Sequence, residues 1–70
     1  MRIKAVPQWR IRPGDKILHK IEGIVQVTFI RLDGAGGTYF EYYDRYGLPE
    51  TFRCGPLDRV LKVVDRGGLF

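Results

Sequence analysis

Seventy residues with 12 Lys and Arg against 8 Asp and Glu give a formal net charge of +4 and a pI near 9.6. The length allows one small domain, residues 1–70, whose core buries only roughly 60% of the surface of the unfolded chain. One Cys and one His exclude an internal disulfide and a four-ligand zinc site, and no apolar run nears the roughly 20 residues that cross a bilayer.

Ile3 to Val6 reads as a short edge strand that Pro7 ends. Arg12-Pro13-Gly14-Asp15 is a tight turn, with Pro setting φ at the first central position and Gly filling the second. Residues 16–20 follow as a strand, and Gly23 bends the chain before residue 24. Through residues 24–32, Val25, Val27 and Phe29 alternate with Gln26 and Thr28, the period-two pattern of a half-buried strand. Asp33-Gly34-Ala35-Gly36-Gly37 is a hairpin loop, since Asp and Gly tolerate positive φ. Residues 38–43 form a strand of high β-propensity, Asp44-Arg45-Tyr46-Gly47 another turn, and residues 50–54 a short third member of the meander. Pro56 cannot continue a ladder, so residues 55–59 are expected as one 3₁₀ turn. Residues 60–64 make the last strand and residues 65–70 a frayed tail. The sum is an all-β chain of five strands, or six with the first, and closure into a barrel or sandwich would remove its exposed edges.

This order is similar to that of SH3-like small β-barrels, most of all their Tudor, KOW and chromo-like branch. The residues that carry it are Pro13-Gly14-Asp15-Lys16-Ile17 at the front and Pro56-Leu57-Asp58-Arg59-Val60 at the back, and it covers residues 11–64. The resemblance implies a barrel of about five strands with a 3₁₀ turn before the last. The Pro-Gly-Asp turn and the strand of residues 58–64 also resemble short uncharacterised proteins of actinobacteria and their phages.

No phosphate-binding glycine loop is present. Cys54 beside Phe52 reads as a small core or edge residue rather than the partner of His19 in a nucleophilic pair. His19 reads as an exposed edge residue. Glu41 and Glu50 are placed to face each other across paired strands, but more as solvated surface charges than as a catalytic pair. A barrel this small has little room for a water-excluded pocket, so the chain is expected not to be an enzyme and to carry no cofactor or metal. Met1-Arg2-Ile3-Lys4 leads into no apolar signal segment, which points to the cytoplasm and away from a membrane.

Two surfaces stand out. Residues 1–20 hold Arg2, Lys4, Arg10, Arg12, Lys16 and Lys20 against Asp15 alone, a charge of +5, whereas the remainder is −1. Such a segment fits a polyanion. In an extended chain Trp9 and Ile11 would cover the core while Arg10 and Arg12 point outward; alternatively Trp9 stacks on a base. The second surface is aromatic. Alternation puts Phe40 and Tyr42 on one face of strand 38–43 and Tyr39 and Tyr43 on the other. The favoured expectation is a non-enzymatic module that contacts nucleic acid, DNA, by phosphate neutralisation through Arg2, Lys4, Trp9, Arg10, Arg12, Lys16 and Lys20. The alternative is a protein-interaction adaptor, a small phage or bacterial regulator that binds a host protein or self-associates through Tyr39, Tyr43, Tyr46 and Phe52.

Overall fold

A computed structural model describes residues 2–64, and the tail expected over residues 65–70 lies outside them. The strands are β1 (Ile3–Pro7), β2 (Lys16–His19), β3 (Gly23–Leu32), β4 (Thr38–Tyr43), β5 (Pro49–Cys54) and β6 (Arg59–Val63). They form one antiparallel sheet in the order β1-β6-β2-β3-β4-β5. The all-β expectation holds. Closure does not: the sheet is open, with β1 and β5 as its free edges. Those edges are protected locally rather than by joining, because Pro7 and Pro49 each lack an N–H and Lys4 adds charge to the β1 rim.

The sheet bends at β3. Its first part pairs with β2, from Gly23 opposite His19 to Gln26 opposite Lys16. Its second part pairs with β4, from Val27 opposite Tyr42 to Leu32 opposite Thr38, with a register shift between Val27 and Phe29. A bulge of this kind kinks the strand and sharpens its twist. The Thr28 hydroxyl fills the irregularity by donating to the Glu41 carbonyl at 3.1 Å. The two halves then face each other across the core. Val6, Ile11, Ile17, Val25 and Val60 come from one side, and Val27, Phe40, Tyr42 and Cys54 from the other. Ile17, Val27 and Phe40 are wholly enclosed. His19 is half-buried rather than exposed, because its ring meets Tyr42 at 5.6 Å and Phe52 at 5.1 Å between centroids.

The turns repeat two designs. Asp33 and Asp44 open the β3–β4 and β4–β5 loops identically. Asp33 Oδ1 accepts the N–H groups of Ala35 and Gly37, and Asp44 Oδ1 those of Tyr46 and Leu48, all at 2.9 Å. In both loops the fourth residue has positive φ, +91° at Gly36 and +79° at Gly47, a conformation glycine adopts without a Cβ clash. The second design precedes β2 and β6. Asp15 Oδ2 accepts the Arg12 N–H at 2.9 Å, and Asp58 Oδ2 the Gly55 N–H at 2.8 Å. This closes residues 55–58 as a single turn with Asp58 N–H on the Gly55 carbonyl at 3.1 Å. The 3₁₀ segment expected there is therefore absent, and a 3₁₀ helix forms instead at Gln8–Arg10.

That helix corrects the extended reading of the Trp9 segment. Ile11 enters the core as expected, but Gln8 is buried in place of Trp9, which is 71% exposed. The Gln8 amide donates to the Gly55 carbonyl and its Oε1 accepts the Thr38 hydroxyl. One side chain thus ties the start of the chain to both ends of the β4–β5 pair, and the Thr38–Cys54 register makes those ends adjacent.

Gln8→Ala should lower unfolding free energy by about 1–3 kcal/mol, the cost of leaving buried polar groups unpaired, whereas Trp9→Ala should stay within roughly 0.5 kcal/mol. Urea denaturation measures both, and equal losses would contradict the anchoring role of Gln8. Asp33 gives a pH test. Its side-chain bond to Arg53, followed by the Gly37 N–H, holds its carboxyl below the ordinary 3.8. A depressed folded-state pKa contributes stability above the unfolded value and loses it as pH falls through the folded one. The stability difference between wild type and Asp33→Asn should therefore be flat at neutral pH and shrink on acidification below about 4. A difference that persists undiminished in acid would assign the effect to loop geometry instead.

Candidate functional site

All seven residues of the basic segment are exposed. The ion pairs among the described residues are Arg31 with Glu41, Arg53 with Asp33, and Lys62 with Asp15. None uses Arg2, Lys4, Arg10, Arg12, Lys16 or Lys20. The fold brings some of these together and separates others. Lys4 stands opposite Lys62 in the β1–β6 register. Lys62 reaches Asp15 at 3.4 Å, and Asp15 caps the Arg12 turn. Lys4, Lys62 and Arg12 thus share one neighbourhood with a single carboxylate among them. Arg2 has the parity of Lys4, and its carbonyl accepts the Val64 N–H at 2.8 Å. Lys16 projects from the opposite face to its neighbour Ile17, whose face is that of Lys62. Lys20 lies in the turn after β2. Trp9 and Arg10 form a knuckle of their own, with the guanidinium 5.2 Å from the indole centroid.

The aromatic surface is divided as well. Thr38, Phe40 and Tyr42 are buried while Tyr39, Glu41 and Tyr43 turn outward, so the expected parity of β4 holds. Tyr43 is 58% exposed, and Tyr46, in the β4–β5 loop, is 79% exposed. Phe52 does not join them. It pairs with Phe40, and its ring lies 5.4 Å from Phe40 and 6.1 Å from Tyr42, on the inner face. Arg31, Tyr39 and Arg53 form a row across β3, β4 and β5, with Arg31 4.7 Å from the Tyr39 ring. Both arginines of this row are already matched by carboxylates. Glu41 and Glu50 do not face each other, because Glu41 pairs with Thr51 and Glu50 with Tyr42, which puts the two carboxylates on opposite faces.

A cleft of about 210 Å³ opens between β2 and β6, with Phe52 and Cys54 of β5 beneath it. It arises because β2 and β6 share one register pair, Ile17 with Lys62, and then separate. His19 and Cys54 both line it. The His19 Nδ1 accepts the N–H groups of Ile21 at 3.2 Å and Glu22 at 3.1 Å, so the neutral ring carries its proton on Nε2. Burial, reinforced by the negative charge of Asp58, pushes the Cys54 thiol above its ordinary range. A thiol held in that form is a poor nucleophile. The cleft could not be read from the sequence, since period-two patterning says nothing about where two neighbouring strands part.

The chain matches no family model, no curated protein and no solved structure.

At pH 8 the Cys54 thiol should react with a disulfide reagent about tenfold more slowly in the native chain than in urea. Equal rates would show that the thiol is neither enclosed nor raised.

Proposed function

We propose that this chain is a non-enzymatic binding module of the SH3-like kind that contacts nucleic acid, DNA, by neutralising its phosphates. The observation that carries the reading is the set of exposed cations in residues 2–20 that no carboxylate among the described residues pairs. Unpaired surface cations keep their full attraction for a polyanion, whereas those of the aromatic row are already compensated. Trp9 adds a ring that is 71% exposed, with the Arg10 guanidinium 5.2 Å from its centroid, on which an unpaired base can stack. Lys4, Arg10 and Arg12 are the principal contacts, with Arg2 beside them. Lys16, on the opposite face, and Lys20, at the cleft, contribute to the long-range field.

The SH3-like reading draws support from the neighbour order β6-β2-β3-β4-β5 and from a bulged β3 that serves both half-sheets. A cytoplasmic setting suits a chain whose one cysteine, Cys54, is buried as a free thiol. A second reading, a protein-interaction adaptor, is favoured by the outward Tyr39 and Tyr43 and by exposed Tyr46, without Phe52.

Titration of labelled duplex and single-stranded DNA at several salt concentrations tests the proposal. Engagement of about four phosphates gives a slope of log K against log salt of roughly −3.6 on duplex. The triple variant Lys4→Gln, Arg10→Gln, Arg12→Gln should flatten that slope by roughly 2–3, while Lys16→Gln changes it by less than about 1. Trp9→Ala should weaken single-strand binding more than duplex binding. Absence of binding at low salt sinks the proposal and turns attention to the tyrosine face, where a Tyr43→Ala, Tyr46→Ala pair should abolish partner capture or self-association.

A further inference from the structure

The cleft between β2 and β6 has an arrangement that neither surface above accounts for. Lys20, in the turn after β2, and Arg59, at the start of β6, stand on its two sides. The strands have separated there, and both residues line the opening. Two exposed cations therefore flank one gap, and neither makes an ion pair among the described residues. Beneath them the lining is mainly apolar, with Phe52, Val60 and Leu18 contributing carbon surface. His19 stands on one wall, its ring orientation fixed by the two backbone N–H groups on Nδ1. That leaves Nε2–H as the ring's one hydrogen-bond donor.

The geometry points to a binding site for a hydrophobic carboxylate, in which a single aromatic or branched aliphatic group enters the cleft and its acid arm lies between Lys20 and Arg59. Size agrees with this. An apolar cavity of roughly 150 Å³ holds benzene, so about 210 Å³ accommodates a phenyl ring with a short acid arm. Charge agrees as well. Neither cation is ion-paired among the described residues, and the neighbouring Asp58 carboxylate accepts the Gly55 N–H at 2.8 Å, so a ligand carboxylate between Lys20 and Arg59 accepts charge-assisted hydrogen bonds from groups not already matched. The same chemistry is offered by a free aryl acid and by the C-terminal residue of a peptide ending in Phe or Leu.

The probes are 3-phenylpropionate, its neutral amide, acetate, and acetyl-Gly-Gly-Phe as free acid and as amide. Binding is followed through the backbone amide NMR signals of the whole chain. The site predicts shifts at Lys20, Phe52, Arg59 and Leu61 with both free acids. Binding should be about tenfold weaker for the two amides and for acetate. Lys20→Gln and Arg59→Gln alter exposed side chains and should keep the wild-type spectrum, while each weakens 3-phenylpropionate by about three- to tenfold. Tighter binding of the peptide acid supports the site and identifies a chain terminus as the source. Tighter binding of the free acid supports it with a small molecule as the source. Equal binding of acids and amides overturns the anion requirement, and equal binding of acetate overturns the apolar one. Shifts confined to other surfaces, or none up to about 10 mM, overturn the site itself.

Discussion

A sheet of short strands encloses a core only by bending back on itself, and here the bend is made at one place, the register shift between Val27 and Phe29 in β3. Without it β3 would run straight, and Ile17, Val25 and Val60 would lie in the same layer as Phe40 and Tyr42 instead of against them. The bulge lets one strand serve two half-sheets, so the inward residues of each become the cover of the other. Val27 sits at the bend and is wholly enclosed. The contacts of His19 with Tyr42 and Phe52 show how near the halves come at the far end of β2. Closure of the backbone ladder is not needed for this. Side chains of the two halves meet across the core although β1 and β5 stay unpaired, and the cleft is a separate opening, where β2 and β6 part after one register pair.

A core this small leaves much of the definition of the fold to polar groups. Four aspartates govern four turns, Asp15 and Asp58 ahead of β2 and β6, and Asp33 and Asp44 within the two hairpin loops. In each, a carboxylate takes a backbone N–H that the turn would otherwise leave unpaired: Asp33 and Asp44 take the one two residues on, as in an Asx turn, whereas Asp15 and Asp58 reach back three residues to Arg12 and Gly55. Asp33 also meets Arg53, and Asp15 also meets Lys62. Gln8 does the same work in the interior, where an unmet donor or acceptor costs more. It joins three parts of the chain that are distant in sequence, which fixes the 3₁₀ helix and leaves Trp9 no course but outward.

Strands were the legible part of the sequence, because alternation and turn chemistry are local. The strand of residues 38–43 has the bounds of β4, and its inner and outer aromatics follow parity. The Asp-led loops were visible for the same reason. Of the two places open to Trp9, the core-covering one fails because parity applies only to extended chain, and three residues of 3₁₀ helix exchange the places of Gln8 and Trp9. Phe52 departs from the outer tyrosines because its face is set by its register with Phe40, which is a tertiary fact. The open sheet rests on β1 and β5 not meeting, and the nearness of Lys20 to Arg59 at the cleft on where β2 and β6 part, and no residue along these strands announces either.

The distribution of ion pairs divides the surface more sharply than composition does. On the β3–β4–β5 face Arg31 and Arg53 are satisfied by Glu41 and Asp33, so its exposed rings lie in a field close to neutral. In residues 2–20 one carboxylate, Asp15, stands among six cations, and it is already shared between the Arg12 turn and Lys62. The excess that the residue count already places in residues 1–20 therefore stays unmatched in the fold, whereas the arginines beside the outward Tyr39 of β4 are matched by acid. A polyanion would sense the edge along β1 and the Trp9–Arg10 knuckle, where several cations act on neighbouring phosphates. A single carboxylate would sense the cleft, where two cations converge over apolar carbon. On the proposed readings the two sites would answer to different ligands, because one offers several cations along an edge and the other offers two cations beside a largely apolar lining.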